Sequence, residues 1–267
     1  LSALQPSVHM IEPQGEARDY WPRWRGPSGQ GLVEGSGYPD RWSPTENVLW
    51  KTPVPGKGNS SPIVWGARIF LTTATDGGDG PSRRSICVGG AEGRWEAAAP
   101  EAPGEKLYWK NTYASSTPVT DGERVYAYFG SAGVLAVDFD GNRVWHRSFG
   151  PVTLYHGSGG SPLLYKDRLI LFQDQREGSF LAAIDNRTGE LIWKTPRKEQ
   201  IGWGSPIAIR AGNRDEIIVH SQNRVYGYDP ASGKEKWFAE AHTMEVAPTP
   251  AVGEGSVFCP CGRAGWT

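Results

Sequence analysis

The chain has 267 residues, with 28 Lys and Arg against 29 Asp and Glu for a net charge of −1, so nothing electrostatic draws it toward nucleic acid or an anionic membrane surface. Its 35 glycines and 21 prolines make 56 of the 267 residues, well above the usual ~12%, which fills the chain with turns and disfavours helix-rich folds. Three cysteines, Cys87, Cys259 and Cys261, are too few for a disulfide-stapled miniature, and no run approaches the ~18 apolar residues that a membrane-crossing helix needs.

Residues 1–20 read as a flexible arm. They show neither the basic start nor the apolar stretch of a leader peptide and do not begin with Met, so the sequence reads as a processed chain or a fragment. A leading strand is expected around Val48-Leu49-Trp50. From there two markers keep one beat. A Ser/Thr-Pro step recurs with its proline at Pro62, Pro118, Pro162, Pro206 and Pro250, at spacings of 56, 44, 44 and 44 residues. A tryptophan closes each unit, at Trp50, Trp95, Trp145, Trp193 and Trp237. A fixed period of this length dictates the whole architecture.

The repeating units are placed at residues 60–115, 116–159, 160–203 and 204–247, with a partial unit over 248–267. In the third unit four short apolar runs, Leu163–Tyr165, Arg168–Phe172, Phe180–Ile184 and Leu191–Trp193, are separated by turn residues Lys166-Asp167, Glu177-Gly178 and Asn186-Arg-Thr-Gly189, the pattern of four antiparallel strands. The same layout recurs at Val125–Tyr128, Leu135–Asp138 and Val144-Trp145. Four strands per ~44 residues is the arithmetic of a β-propeller blade. The expected fold is therefore all-β, a propeller of about four full blades and a partial terminal blade, forming an open ring over residues 21–267. Residues 75–110 break the beat, and Asp76–Pro81 reads as an exposed loop. A rival geometry closes the ring by pairing residues 47–52 with 255–260.

The run Ala183-Ile-Asp185-Asn-Arg-Thr188-Gly189-Glu-Leu-Ile-Trp193, repeated less perfectly at Gly227–Trp237 and Ala136–Trp145, resembles the repeat of the pyrroloquinoline quinone (PQQ)-like β-propellers. The opening Trp21-Pro-Arg-Trp24-Arg-Gly-Pro27 is similar to the start of secreted bacterial members. The resemblance implies a periplasmic or secreted location and a tryptophan that docks between blades. It extends to the outer-membrane assembly lipoproteins, which present loop surfaces to protein partners. The function expected is thus a non-catalytic binding or scaffold domain, with a protein or small polar ligand as partner and no cofactor. The alternative is a quinone-dependent alcohol or sugar dehydrogenase carrying PQQ and Ca²⁺. The dehydrogenases clamp their quinone with adjacent cysteines, whereas Cys259-Pro-Cys261 has an intervening residue and fits neither that clamp nor a zinc ribbon.

No catalytic or metal motif emerges elsewhere. Asp138-Phe-Asp140-Gly141-Asn142 begins like a calcium loop, but its glycine comes too early and Phe149 stands where the bidentate Glu belongs. The histidines show no zinc-binding spacing, so no metal site is assigned. What remains is position. Residues just before each Ser/Thr-Pro gather at one mouth of a propeller channel: Lys57, Asn59 and Ser60, then Tyr113, then Tyr155, His156 and Ser158, then Trp203, then His242 and Glu245. Such a mixture of rings, imidazoles and a carboxylate suits a small polar ligand. The plainer alternative is loop residues that satisfy one another and solvent.

Overall fold

The computed structural model describes residues 7–77, 80–89, 93–241 and 244–260. Its strands are β1 (Val8–Met10), β2 (Ile63–Trp65), β3 (Arg68–Gly77), β4 (Gly80–Gly89), β5 (Gly93–Ala98), β6 (Val119–Thr120), β7 (Arg124–Tyr128), β8 (Val134–Asp138) and β9 (Arg143–Arg147). They continue as β10 (Leu163–Tyr165), β11 (Arg168–Gln173), β12 (Phe180–Asp185), β13 (Leu191–Pro196), β14 (Ile207–Ala211), β15 (Arg214–His220), β16 (Arg224–Tyr228), β17 (Glu235–Glu240), β18 (Ala251–Gly253) and β19 (Ser256–Phe258). Four antiparallel meanders, β2–β5, β6–β9, β10–β13 and β14–β17, are blades 1 to 4, and β18–β19 is a two-stranded half blade. The chain is an all-β propeller. Residues 47–52 and 255–260 do not pair with one another, so the ring is open.

The sequence pattern follows from the stacking. Middle strands lie between neighbouring sheets and are buried on both faces, β8 and β12 almost throughout, while the outer strand β13 alternates between exposed and half-buried positions. Continuous apolar runs mark the former and mixed sequence the latter. Apolar cores form between blades rather than within them: Tyr126, Val134 and Ala136 of blade 2 pack with Leu169, Leu171 and Ile184 of blade 3.

The repeat tryptophan and the repeat glycine serve different blades. The indole Nε1 of Trp95, Trp145 and Trp193 donates to a turn carbonyl of the following blade, Phe139, Asn186 and Pro230, at 2.8, 2.9 and 3.2 Å. The ring lies over that turn's glycine, where a Cβ on Gly141, Gly189 or Gly233 would come within 2.7, 2.6 or 2.4 Å of it. Each glycine also has φ between 70° and 87°, so it is required twice over. The Asp of the motif shapes the turn: Asp185 Oδ1 accepts from the amides of Arg187 and Thr188 at 2.9 and 2.8 Å.

The Ser/Thr-Pro marker has its own physical cause. The amide of Ser61 donates to Thr117 Oγ1, that of Thr117 to Ser161 Oγ, that of Ser161 to Ser205 Oγ, and that of Ser205 to Thr249 Oγ1, at 2.9, 3.0, 2.9 and 3.4 Å. A hydroxyl every blade satisfies a backbone donor that has no partner in its own sheet.

Three expectations are corrected. The stretch around Val48–Trp50 is not a strand, and its apolar side chains are exposed, Leu49 by 96% and Trp50 by 55%. Among the described residues it pairs with no strand, and Trp50, more than half exposed, is not buried between blades. Asp76–Pro81 is not a loop apart from the repeat. Its ends continue β3 and β4 as a long hairpin, with Asp76 opposite Pro81 and Gly77 opposite Gly80, because ladder hydrogen bonds outweigh a Gly- and Asp-rich composition; residues 78–79 lie outside the described residues.

The third correction concerns the arm over residues 1–20. From residue 8 it is fastened to the inner edges of the blades. β1 pairs with β14, Trp21 bridges Val64 of β2, and Pro22 accepts from the Thr120 amide at 2.9 Å. Met10 joins Ile207, Ile209 and Ile218 in an apolar core against which Val252 and Val257 of the half blade pack. Buried Arg23 ties the segment to itself through the carbonyls of Ile11, Gly26 and Pro27, and burial pushes its pKa down to about 10.

Candidate functional site

Four loops carry the chain from the outer strand of one blade, or half blade, to the inner strand of the next: β5–β6, β9–β10, β13–β14 and β17–β18. Antiparallel order sets all four on one end of the arc. There they enclose a pocket of about 440 Å³ lined by Tyr108, Lys110, Asn111, His156, Gly159, Trp203, Glu245 and Ala247.

The aromatic rings pack as one cluster. His156 stacks on Trp203 at 5.7 Å between centroids and 27° between planes, meets Tyr155 at 4.1 Å and Tyr108 at 4.7 Å, and Tyr155 stands edge-on to Trp203. The Trp203 indole donates to the Gly157 carbonyl at 2.8 Å, which fixes its ring. Glu245 forms the anionic wall: Tyr155 donates to its Oε1 at 3.0 Å, and His156 Nε2 lies 3.6 Å from that oxygen. Burial and this bond to Glu245 raise the Tyr155 pKa above its ordinary value. Glu245 is one of few non-glycine residues in the left-handed region, at φ 52°, a conformation that costs ~1–2 kcal/mol and is held by its surroundings, including the Trp203 amide bonded to the Val246 carbonyl at 2.7 Å. Backbone strain of this kind gathers at functional sites.

One wall comes from residues 99–113, a strap that leaves blade 1 and crosses to blades 2 and 3. Arg83 anchors it through the carbonyls of Ala102 and Pro103. Buried Glu105 accepts from the Ser131 amide at 2.8 Å, and burial raises its carboxyl pKa. Asn111 Nδ2 donates to the carbonyls of His156 and Ser158 at 2.6 and 3.1 Å. Tyr108 of the lining is 40% exposed, and the residues next to the lining in sequence, Trp109 and Met244, are exposed by 77% and 57%, so the rim is apolar and open.

Of the residues expected at this mouth, His156, Trp203 and Glu245 come together, with Tyr155 behind them. Asn59 supports the strap, donating from Nδ2 to the Lys110 carbonyl at 2.9 Å. Tyr113 is drawn away into the core of blades 1 and 2, beneath Arg83 at 4.6 Å, with its hydroxyl on the Glu105 carbonyl. Lys57 joins blade 1 through backbone bonds to Ala74 and does not line the pocket. His242 lies outside the described residues. Tyr108, Lys110 and Asn111 are additions, from a stretch that breaks the period.

The residues do not supply the clamp that the quinone of the alternative reading calls for, since the sequence has no adjacent cysteines. The N-terminal segment lies against the inner strands and leaves a gap of about 20 Å³ beside Met10, Trp24, Pro162 and Ile207 and a cleft of about 430 Å³ beside Ile11, Pro22, Val119, Leu164 and Ala208, neither of them lined by cysteine. Cys259 is a free, half-buried thiol whose pKa burial pushes up to about 11, and Cys261 lies outside the described residues. Among the described residues no three His, Cys, Asp or Glu side chains converge as metal ligands, and no helix is long and apolar enough to cross a membrane.

The family model described as outer membrane protein assembly factor BamB matches residues 81–200 and 176–262. Serine/threonine-protein kinase AfsK of Streptomyces griseus is 26% identical over 125 residues, which is 45% of this chain and 15% of the kinase. A europium-containing methanol dehydrogenase aligns with a TM-score of 0.41 and 10% identity over 67% of this chain and 50% of its own. BamB from Moraxella catarrhalis aligns with a TM-score of 0.42 and 15% identity over 68% and 48%. The chain thus spans a small part of the kinase and about half of each structure.

Proposed function

From the premise that this chain belongs to the family of outer membrane protein assembly factor BamB, the PQQ-like propellers, we propose that it is a non-catalytic scaffold whose strap-bearing mouth docks a partner protein outside the cytoplasm. The observation that carries this reading is the rim. Trp109, Tyr108 and Met244 stand exposed around an aromatic pocket, and Trp, Tyr and Met are the residue types that concentrate binding energy at interfaces. Trp109 is not isolated, since its ring meets that of Tyr108 at 5.7 Å between centroids, and a contiguous exposed apolar surface is what marks an interaction site. The family description as an outer membrane assembly factor supports the location.

The test is a photo-crosslinking residue at position 109, with position 213 in the β14–β15 turn at the opposite end of the blades as control, in the envelope fraction of the source cells. The protein captured from 109 alone is then purified. Its complex should weaken about 30-fold on Trp109→Ala, the loss of ~2 kcal/mol that marks an interface anchor, and hold on Asn213→Ala. Equal crosslinking from both positions, or a complex indifferent to Trp109, would refute the reading.

A further inference from the structure

We infer that the pocket inside this rim receives a side-chain cation of the partner, an arginine guanidinium, set against the rings of Trp203, His156 and Tyr108 and opposite the Glu245 carboxylate. The inference rests on the docking reading above and assigns what enters the pocket. Two independent attractions point the same way. Aromatic faces present negative charge to a cation, most strongly from tryptophan and most effectively where water is thinned. Glu245 adds a formal negative charge to the same wall, at the end of the hydrogen bond from Tyr155.

The cationic group that also lines the pocket, Lys110, has its Nζ 4.7 Å over the Trp109 ring, so its charge is engaged on the rim. The pocket, at about 440 Å³, exceeds what a lone guanidinium fills. It accommodates the methylene stem as well, which would lie along Tyr108 and Trp203 while the head reaches the carboxylate. A free small amine would leave Trp109 and Met244 uncovered. A protein side chain arrives with flanking residues that cover them, which decides between the two sources.

Binding is read on the whole chain by the indole N–H resonance of Trp203, assigned from a Trp203→Phe sample. The probes are a blocked Gly-Arg-Gly peptide and the same peptide with citrulline, which keeps the shape and removes the charge. The arginine peptide should shift that resonance saturably, bind at least about tenfold more tightly than the citrulline peptide, and weaken as salt is raised. Glu245→Gln keeps an acceptor for Tyr155 and should bring the two peptides close to parity, whereas Glu254→Gln on the β18–β19 turn should preserve the difference. Tyr108→Ala, at an exposed ring, should weaken the arginine peptide several-fold. Equal binding of both peptides to the unaltered protein, or a preference that survives Glu245→Gln, overturns the inference. If arginine preference is absent while the Trp109-dependent complex forms, only this inference fails. If the preference stands and no complex depends on Trp109, the docking reading fails instead.

Discussion

Trp145 and Trp237 occupy the same place in their blades, each in the outer strand opposite a small residue of the strand before it, Ala136 and Gly227, with a bulge directly after. Trp145 crosses to the next blade and is 8% exposed, while Trp237 is 37% exposed and turns back, donating to Glu216 Oε2 of its own sheet at 2.7 Å. The small residue records the difference. A Cβ at position 227 would lie 2.3 Å from the Trp237 ring, so glycine in place of alanine lets the indole fold back onto the blade. A docking tryptophan is therefore a two-blade device, and its stabilising value depends on a successor. Blade 4 is itself held to blade 3 by Trp193 and, in addition, by a buried ion pair. Arg197, 1% exposed in its side chain, meets both oxygens of wholly buried Asp174 at 2.7 and 3.2 Å and also donates to Ser221 Oγ and the Tyr228 hydroxyl.

The largest effects should fall on the interior contacts. Asp174→Ala leaves a buried guanidinium without its counter-charge and should cost about 3–5 kcal/mol, and Trp145→Ala a similar ~3–5 kcal/mol for the cavity and lost burial. Both are measured as shifts in denaturation midpoint at constant slope. Trp237→Ala, by contrast, should cost only about 1 kcal/mol; equal losses at 145 and 237 would break the comparison. The glycines sharpen it. Gly189→Ala imposes a Cβ both on a positive φ and on an enclosed ring, and should destabilise by ~2 kcal/mol or more. Gly227→Ala meets only a ring free to swing outward, and should cost less while shifting Trp237 emission toward that of a solvated indole.

The smallest effect is a pH dependence. His220 is 3% exposed, its Nδ1 has no hydrogen-bond partner among the described residues, and burial lowers its pKa. The neutral ring is favoured in the folded state. Its contribution is fully present above the unfolded pKa of ~6.5 and is lost as pH falls from there through the folded value. Asp185, lowered chiefly by its bond from the Thr188 amide, acts in the same direction further down, below the ordinary carboxylate range. His220→Asn should flatten the stability slope just below pH ~6.5 and leave the Asp185 region unchanged, as followed by midpoints across that range.

Strands in the blades were readable because middle strands buried on both faces must be apolar, and because Ser161, Asp185, Gly189 and Trp193 each answer a local or one-blade requirement. At the candidate site, position before a Ser/Thr-Pro step sufficed for His156, Trp203 and Glu245. It could not find Tyr108, Lys110 and Asn111, whose placement depends on Arg83, Glu105 and Ser131, contacts with no period. β1 was equally hidden: three residues give no alternation to read, and its partner strand lies some two hundred residues away.

The row of hydroxyls has a direction, from each blade's amide to the next blade's side chain, and it ends at Thr249, whose Oγ1 also accepts from the Trp24 indole at 3.2 Å. On a ribosome a blade would emerge with its amide waiting for a hydroxyl one repeat further on, so completion passes down the chain as synthesis proceeds. Trp24 waits longest. Its acceptor follows 225 residues later, about 10–45 s at ordinary elongation rates. Until then the N-terminal segment is held at the inner edges first by Trp21 and Pro22 on blades 1 and 2 and then, once blade 4 has emerged, by β1 on β14, so the centre of the propeller is filled in step with the blades around it.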